Sequence, residues 1–180
     1  MATSATATSS ILTVFDADRH NLSGLVLSAA LPLAVFVIAN GVAGLNGMVP
    51  LFFSPLGLPG WIGAVLHLSA LPLFGIARWM VAGRGEAGQR AGWWIVALIA
   101  GVIAFPFMVA GLDALMLSLA AFALLTLALG ATARAGAVDT KAALVMAPGL
   151  AWLGFSAFVG LSFAAAWSPP FAVTNSQPGA

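Results

Sequence analysis

Cysteine is absent from this 180-residue chain, and charge is scarce: Asp, Glu, Lys and Arg together make up 6%. Without cysteine there are no disulfides, thiolate metal sites or cysteine nucleophiles, and the compartment cannot be read from cysteine usage. A soluble domain carries about 25% charged residues to cover its surface. Six basic and five acidic residues cannot do that, and at 62% hydrophobic content the surface must face hydrocarbon. The net charge of +1 comes with no basic patch to neutralise phosphates, which excludes a nucleic-acid binder. Paired carboxylates, His/Glu metal spacing, a Gly-rich phosphate loop and an ionisable relay are all missing as well. An enzyme and a proton-driven pump are both unexpected on this composition.

Long apolar runs fill most of the chain. About 20 apolar residues in a helix cross a bilayer core. Only helices or closed barrels satisfy their backbone there, and these runs are too long and continuous for barrel strands. The pattern predicts an all-α membrane protein, a bundle of five transmembrane helices. The expected spans are Leu22–Ala43, Gly60–Val81, Ala91–Val109, Asp113–Arg134 and Thr140–Trp167. A Gly- and Arg-rich hinge, Gly83–Arg90, is expected between the second and third. Asp113 and Asp139 stand where they can cap the fourth and fifth helices. Residues 1–21 and 168–180 are expected to be disordered, leaving 22–167 as the membrane domain. Val37-Ile38-Ala39 makes a passable cleavage pattern, but the run is long, holds Pro32 and follows twenty residues, so a retained span is expected.

The six basic residues are Arg19, Arg78, Arg84, Arg90, Arg134 and Lys141, and all fall on one side of these spans. The positive-inside rule puts that side in the cytoplasm, with the N-terminus inside and the C-terminus outside. Arg78, one turn within the second helix, can snorkel to the same interface. Trp61 and Trp79 bracket that helix about 27 Å apart, near the hydrocarbon thickness, and read as interface anchors. Trp93, Trp94 and Trp167 have the same explanation. Trp152 is mid-span; it either packs between helices or forms a pocket wall.

Asn40, His67 and Ser156 are the other polar groups of interest, and all belong to the outer half of the membrane. They would converge with Trp152 beneath the loop Gly44–Pro59, which carries Leu51, Phe52 and Phe53. A hydrophobic loop over a partly polar bundle mouth suggests a lid on a small apolar pocket. The plainer alternatives are a loop lying in the interface and a His67 that bonds between helices. Small residues at four-residue spacing, Ala97 with Gly101 and Ser156 with Gly160 and Ala164, permit close helix approach.

Four short stretches resemble one family. Ser54-Pro55-Leu56-Gly57-Leu58-Pro59-Gly60-Trp61 is similar to the Pro-rich end of the first loop in the TspO/MBR family of tryptophan-rich sensory proteins and mitochondrial translocators. Gly75-Ile76-Ala77 with Trp79 is similar to its second-helix Gly-x-Ala and aromatic. Phe105-Pro106-Phe107 resembles its Trp-Ser-Pro-x-Phe-Phe turn after the third helix. Pro148-Gly149-Leu150-Ala151-Trp152 resembles its fifth-helix Pro-Tyr-Leu-x-Trp. The likeness extends from Leu22 to Trp167. The departures are specific: the family's pocket Trp falls on His67 and its next Tyr on Leu71. Its third-helix Asn and Trp fall on Gly101 and Ala104. Its fifth-helix Tyr falls on Gly149, and its late Asn near Gly160 or Ser162. A family-like site is therefore expected to be roomier and less polar here.

The resemblance implies a receptor or carrier for a hydrophobic small molecule, a tetrapyrrole such as haem or a sterol, in a bacterial inner membrane. The candidate ligand-binding residues are Trp61, His67, Phe105, Trp152, Phe155 and Ser156. Trp152 and Phe155 would stack on a flat ligand, and His67 could hydrogen-bond or ligate haem iron. The family's dimers, formed through small residues of the third helix, would suit Ala97 and Gly101. A small scaffold subunit packed on another membrane protein is the alternative from a different class, and breakdown of bound porphyrin is a third.

Overall fold

The computed structural model of the chain describes residues 22–54 and 59–167, with side chains up to residue 162. The two segments expected to be disordered lie outside the described residues, as do Arg19, residues 55–58 of the loop motif and the side chains of Ala164 and Trp167. Among the described residues there are five helices and no strand. They are α1 (Leu22–Leu45), α2 (Gly60–Val81), α3 (Gly85–Met108), α4 (Ala114–Val138) and α5 (Thr140–Trp167). Each contains a stretch long and apolar enough to cross a membrane. The shortest, 22 residues, is about 33 Å long, enough for a hydrocarbon core of about 30 Å.

Helix α2 lies at the centre. It packs against α1, α3 and α5 and touches α4, while α5–α4 and α4–α3 contacts close the far side. Helices α1 and α3 meet only lightly. The core repeats at helical spacing: Leu71, Phe74, Ala77 and Val81 on α2 face Ile95, Leu98 and Val102 on α3. Helix α4 contributes Leu124, Ala128, Ala131 and Ala135, and the three alanines let α5 come close. In hydrocarbon, such packing contacts replace the hydrophobic effect as the force between helices. Helices α1 and α2 come closest where Gly75 meets Ser28, since a Cβ on Gly75 would land on the Ser28 carbonyl oxygen. Pro32 has no N–H to donate to the ladder, so that carbonyl lacks its usual helical donor. It points instead at a glycine Cα, a weak contact common at helix interfaces.

Two helix ends differ from expectation by more than two residues. Helix α3 begins at Gly85, not Ala91, so most of the expected hinge is helical. Gly83 turns the chain with φ 71°, and Glu86 and Arg90 then pair at 2.9 Å on the first turns. Helix α4 continues past Arg134 to Val138, and on this last turn Gly136 faces Ala143 of α5 closely enough that a Cβ would stand 3.2 Å from it. The expected caps are present: Asp113 accepts from Met116 N at 2.8 Å, and Asp139 from Lys141 N at 3.0 Å.

The turns α2–α3 and α4–α5 lie at one end of the bundle, joined by Arg84 and Asp139 at 2.9 Å. Arg78, Arg90, Arg134 and Lys141 belong to the same end, and Arg134 lies over the Trp94 ring, 5.1 Å from its centroid. Because Asp139 both caps α5 and holds Arg84, Asp139→Ala should lower stability by roughly 1–2 kcal/mol. Asp139→Asn keeps the cap and should cost less. Thermal denaturation of the purified variants gives that order, and equal losses would refute the double role.

Candidate functional site

At the opposite end, the loop after α1 folds down into the bundle. Its path is set by two backbone contacts. Leu51 N–H donates to the Pro106 carbonyl at 2.8 Å, one of the carbonyls left without a helical donor near the end of α3. The Phe53 carbonyl lies directly on Gly63 of α2, where any Cβ would displace it. Between these anchors, Phe52 and Phe53 turn inward to two different aromatic groups.

Phe52 stands 6.1 Å from Phe36 and 5.8 Å from the His67 ring. Phe36 continues to Phe107 at 5.8 Å, and His67 stacks on Phe105 at 6.2 Å. Phe53 stands 6.1 Å from Trp152 and 6.4 Å from Phe155, themselves 6.1 Å apart. Pairs at these separations add about 0.5–1.5 kcal/mol each beyond their burial. The loop thus joins α1, α2 and α3 through one ring and α5 through the other.

His67 is 7% exposed, and its Nε2 lies 2.9 Å from the Val102 carbonyl. A carbonyl can only accept, so Nε2 carries the proton and donates. The bond has a covalent origin. The residue four positions after Val102 is Pro106, which has no N–H to return to that carbonyl. His67 supplies the missing donor from the neighbouring helix and keeps a lone pair on Nδ1. Ser156 is committed locally: its hydroxyl donates to the Trp152 carbonyl at 2.9 Å.

Of the candidate residues, His67, Phe105 and Ser156 line one small cavity together with Phe52, Phe53 and Leu124. Trp152 and Phe155 sit behind Phe53 and reach the cavity through it. Trp61 is 66% exposed on the first turn of α2 and is not part of the lining. Asn40 is also exposed, away from the other three polar groups. Missing from the candidate set were Phe36 and Phe107. Phe36 shares the buried face of α1 with Pro32 and Ala43, a four- and seven-residue spacing that marks the core side.

The cavity holds about 20 Å³, room for one water and no more. This cavity is therefore not the roomier site expected, because neighbouring side chains fill the space beside the glycines. A Cβ at Gly149 would stand 2.6 Å from the Phe74 ring, and one at Gly101 would stand 2.9 Å from Leu124. Phe52 and Phe53 take the remainder. Gly101 is thus spent inside the bundle, whereas Ala97 stays exposed. Among the described residues, no three of His, Asp and Glu gather as a metal would require.

The family model described as TspO/MBR family matches residues 28–167, most of the chain. No curated protein and no solved structure matches it.

Proposed function

This chain belongs to the TspO/MBR family, and we propose on that footing that it is a membrane receptor or carrier for a flat hydrophobic molecule, a tetrapyrrole or a sterol. The observation behind this reading is the triangle of rings formed by Trp152, Phe155 and Phe53, in which the loop's planar ring covers the two helix rings at 6.1 and 6.4 Å. The 20 Å³ cavity admits no such ligand as it stands. The form described is closed, and binding requires Phe53, with its loop, to leave. Trp152 and Phe155 then stack on the ligand, with Phe105 and Ser156 on the adjoining wall. His67 holds α2 to α3 at the base of the site through its Nε2. The basic end faces the cytoplasm of a bacterial cell under the positive-inside rule, so the site opens to the outside. A second copy would meet α3 through the exposed Ala97, because Gly101 is packed on Leu124.

Haemin titrated into the purified protein should quench tryptophan fluorescence saturably. Trp152→Ala should weaken the affinity at least tenfold, the effect of losing about 1.4 kcal/mol of stacking. An affinity unchanged in both Trp152→Ala and Phe155→Ala would remove the site.

The filled cavity itself favours a second reading, a scaffold subunit that packs on another membrane protein and binds no ligand. Mild-detergent purification separates the two. A scaffold brings a stoichiometric protein partner and no pigment, and a receptor brings pigment without one.

A further inference from the structure

A larger cavity lies away from this site, where α1 and α3 meet lightly over α2. It holds about 250 Å³, and its walls include Leu31 and Val35 of α1 and Val96, Ile99 and Ile103 of α3. Its floor is the contact between Ser28 and Gly75, and Arg78 completes the lining. Leu27 and Val35 are nearly half exposed along its edge, so the groove opens sideways from the bundle. Its α1 wall, from Leu27 to Val35, is about 12 Å long.

Three features limit what can occupy it. The volume falls below the roughly 300–1,000 Å³ of drug-sized ligand sites, which excludes a tetrapyrrole and suits a single chain. The walls are aliphatic along their length. The one charged group is a guanidinium, whose fork of donors matches the oxygens of a phosphate. Arg78 is also set in place: its side chain crosses α3 at Gly92, where an added Cβ would stand 3.1 Å from its Nε. It lies one turn from the end of α2, at the bundle end that carries Arg84, Arg90, Arg134 and Lys141. A leaflet rich in anionic lipid would be drawn to that end.

We propose that this groove holds one acyl chain of an anionic phospholipid, with its phosphodiester on Arg78. The chain alone gives no selectivity, because in a bilayer the lipid it leaves behind is as apolar as the groove. Discrimination comes from the headgroup.

The full chain, purified in mild detergent, is incubated with equimolar dioleoylphosphatidylglycerol and dioleoylphosphatidylcholine, and retained lipid is counted by native mass spectrometry. One phosphatidylglycerol should be retained with roughly fivefold preference, the ratio one basic residue provides near an anionic headgroup. Arg78→Gln should bring the preference close to one, and Arg78→Lys should keep part of it. Ala100→Trp, which fills the groove, should abolish retention of both lipids. Arg90→Gln, whose side chain pairs with Glu86 outside the groove, should change nothing. An unchanged preference in Arg78→Gln, or an equal loss in Arg90→Gln, overturns the site. Retention of added oleate in place of phosphatidylglycerol, or a lipid-free dimer seated on the groove, overturns the assignment of the occupant.

Discussion

Phe53→Ala should tighten binding of a flat hydrophobic ligand by roughly ten- to a hundredfold. In the closed form, the Phe53 ring lies against Trp152 and Phe155, at 6.1 and 6.4 Å. A ligand that stacks on the same two rings must first expel it. Phe53 is half-buried, and withdrawing its ring forfeits two aromatic contacts worth about 0.5–1.5 kcal/mol each. At 1.4 kcal/mol per tenfold, wild-type affinity is reduced by one to two decades relative to a protein without the ring. Deleting the ring lifts that reduction and leaves the two stacking partners in place. Haemin titration of Phe53→Ala against wild type measures the ratio.

Gly63→Val reaches the same state without deleting an aromatic group. The Phe53 carbonyl rests on Gly63, so a side chain there lifts the loop off α2 and withdraws the ring. Both variants should bind more tightly. If both bind as wild type does, the Phe53 ring does not obstruct the site. Phe52→Ala should behave differently. Its ring joins Phe36 to His67 and so contributes to packing between α1 and α2. Its loss should lower stability without uncovering the Trp152 and Phe155 rings.

Much of this architecture is legible in the sequence, for identifiable reasons. Bilayer thickness dictates span length, so five apolar runs mark five helices. Asp113 and Asp139 mark helix starts because a carboxylate there meets free backbone N–H groups. The start of α3 is not legible from hydropathy, since Glu86, Gln89 and Arg90 are polar yet helical. Their helix rests on a glycine turn and an ion pair that an apolar-run criterion ignores. The closed cavity is harder still. Gly101 and Gly149 stand where the resemblance expects larger side chains, but whether the space beside a glycine stays open depends on which neighbours lean in. Phe74 and Leu124 do so from other helices, and Phe52 and Phe53 from a loop whose path is set by a backbone hydrogen bond to Pro106 and a close contact with Gly63. The Arg78 groove was invisible for a related reason. It arises from how lightly α1 meets α3, a property of neither helix alone.

His67 links the two kinds of information, and its replacement should give the largest loss of stability among these variants. Pro106 sits four residues after Val102, so the sequence itself says that the Val102 carbonyl lacks its helical donor. What it cannot say is that a histidine 35 residues earlier supplies one, at 2.9 Å. His67→Ala removes that donor and the ring packed between Phe52 and Phe105. The loss should be about 2–3 kcal/mol, part of it cavity and part an unsatisfied carbonyl in a dry interior. The two parts separate in a double-mutant cycle. Pro106→Ala restores a backbone N–H that can close the α3 ladder on Val102. In that background, His67→Ala should leave only the cavity and cost about 1–2 kcal/mol less, near the upper range measured for hydrogen bonds between membrane helices. Equilibrium unfolding of the four proteins in mixed micelles measures the coupling. Strict additivity would show that the Val102 carbonyl does not depend on His67. The site's only histidine would then matter to the protein through its ring contacts alone.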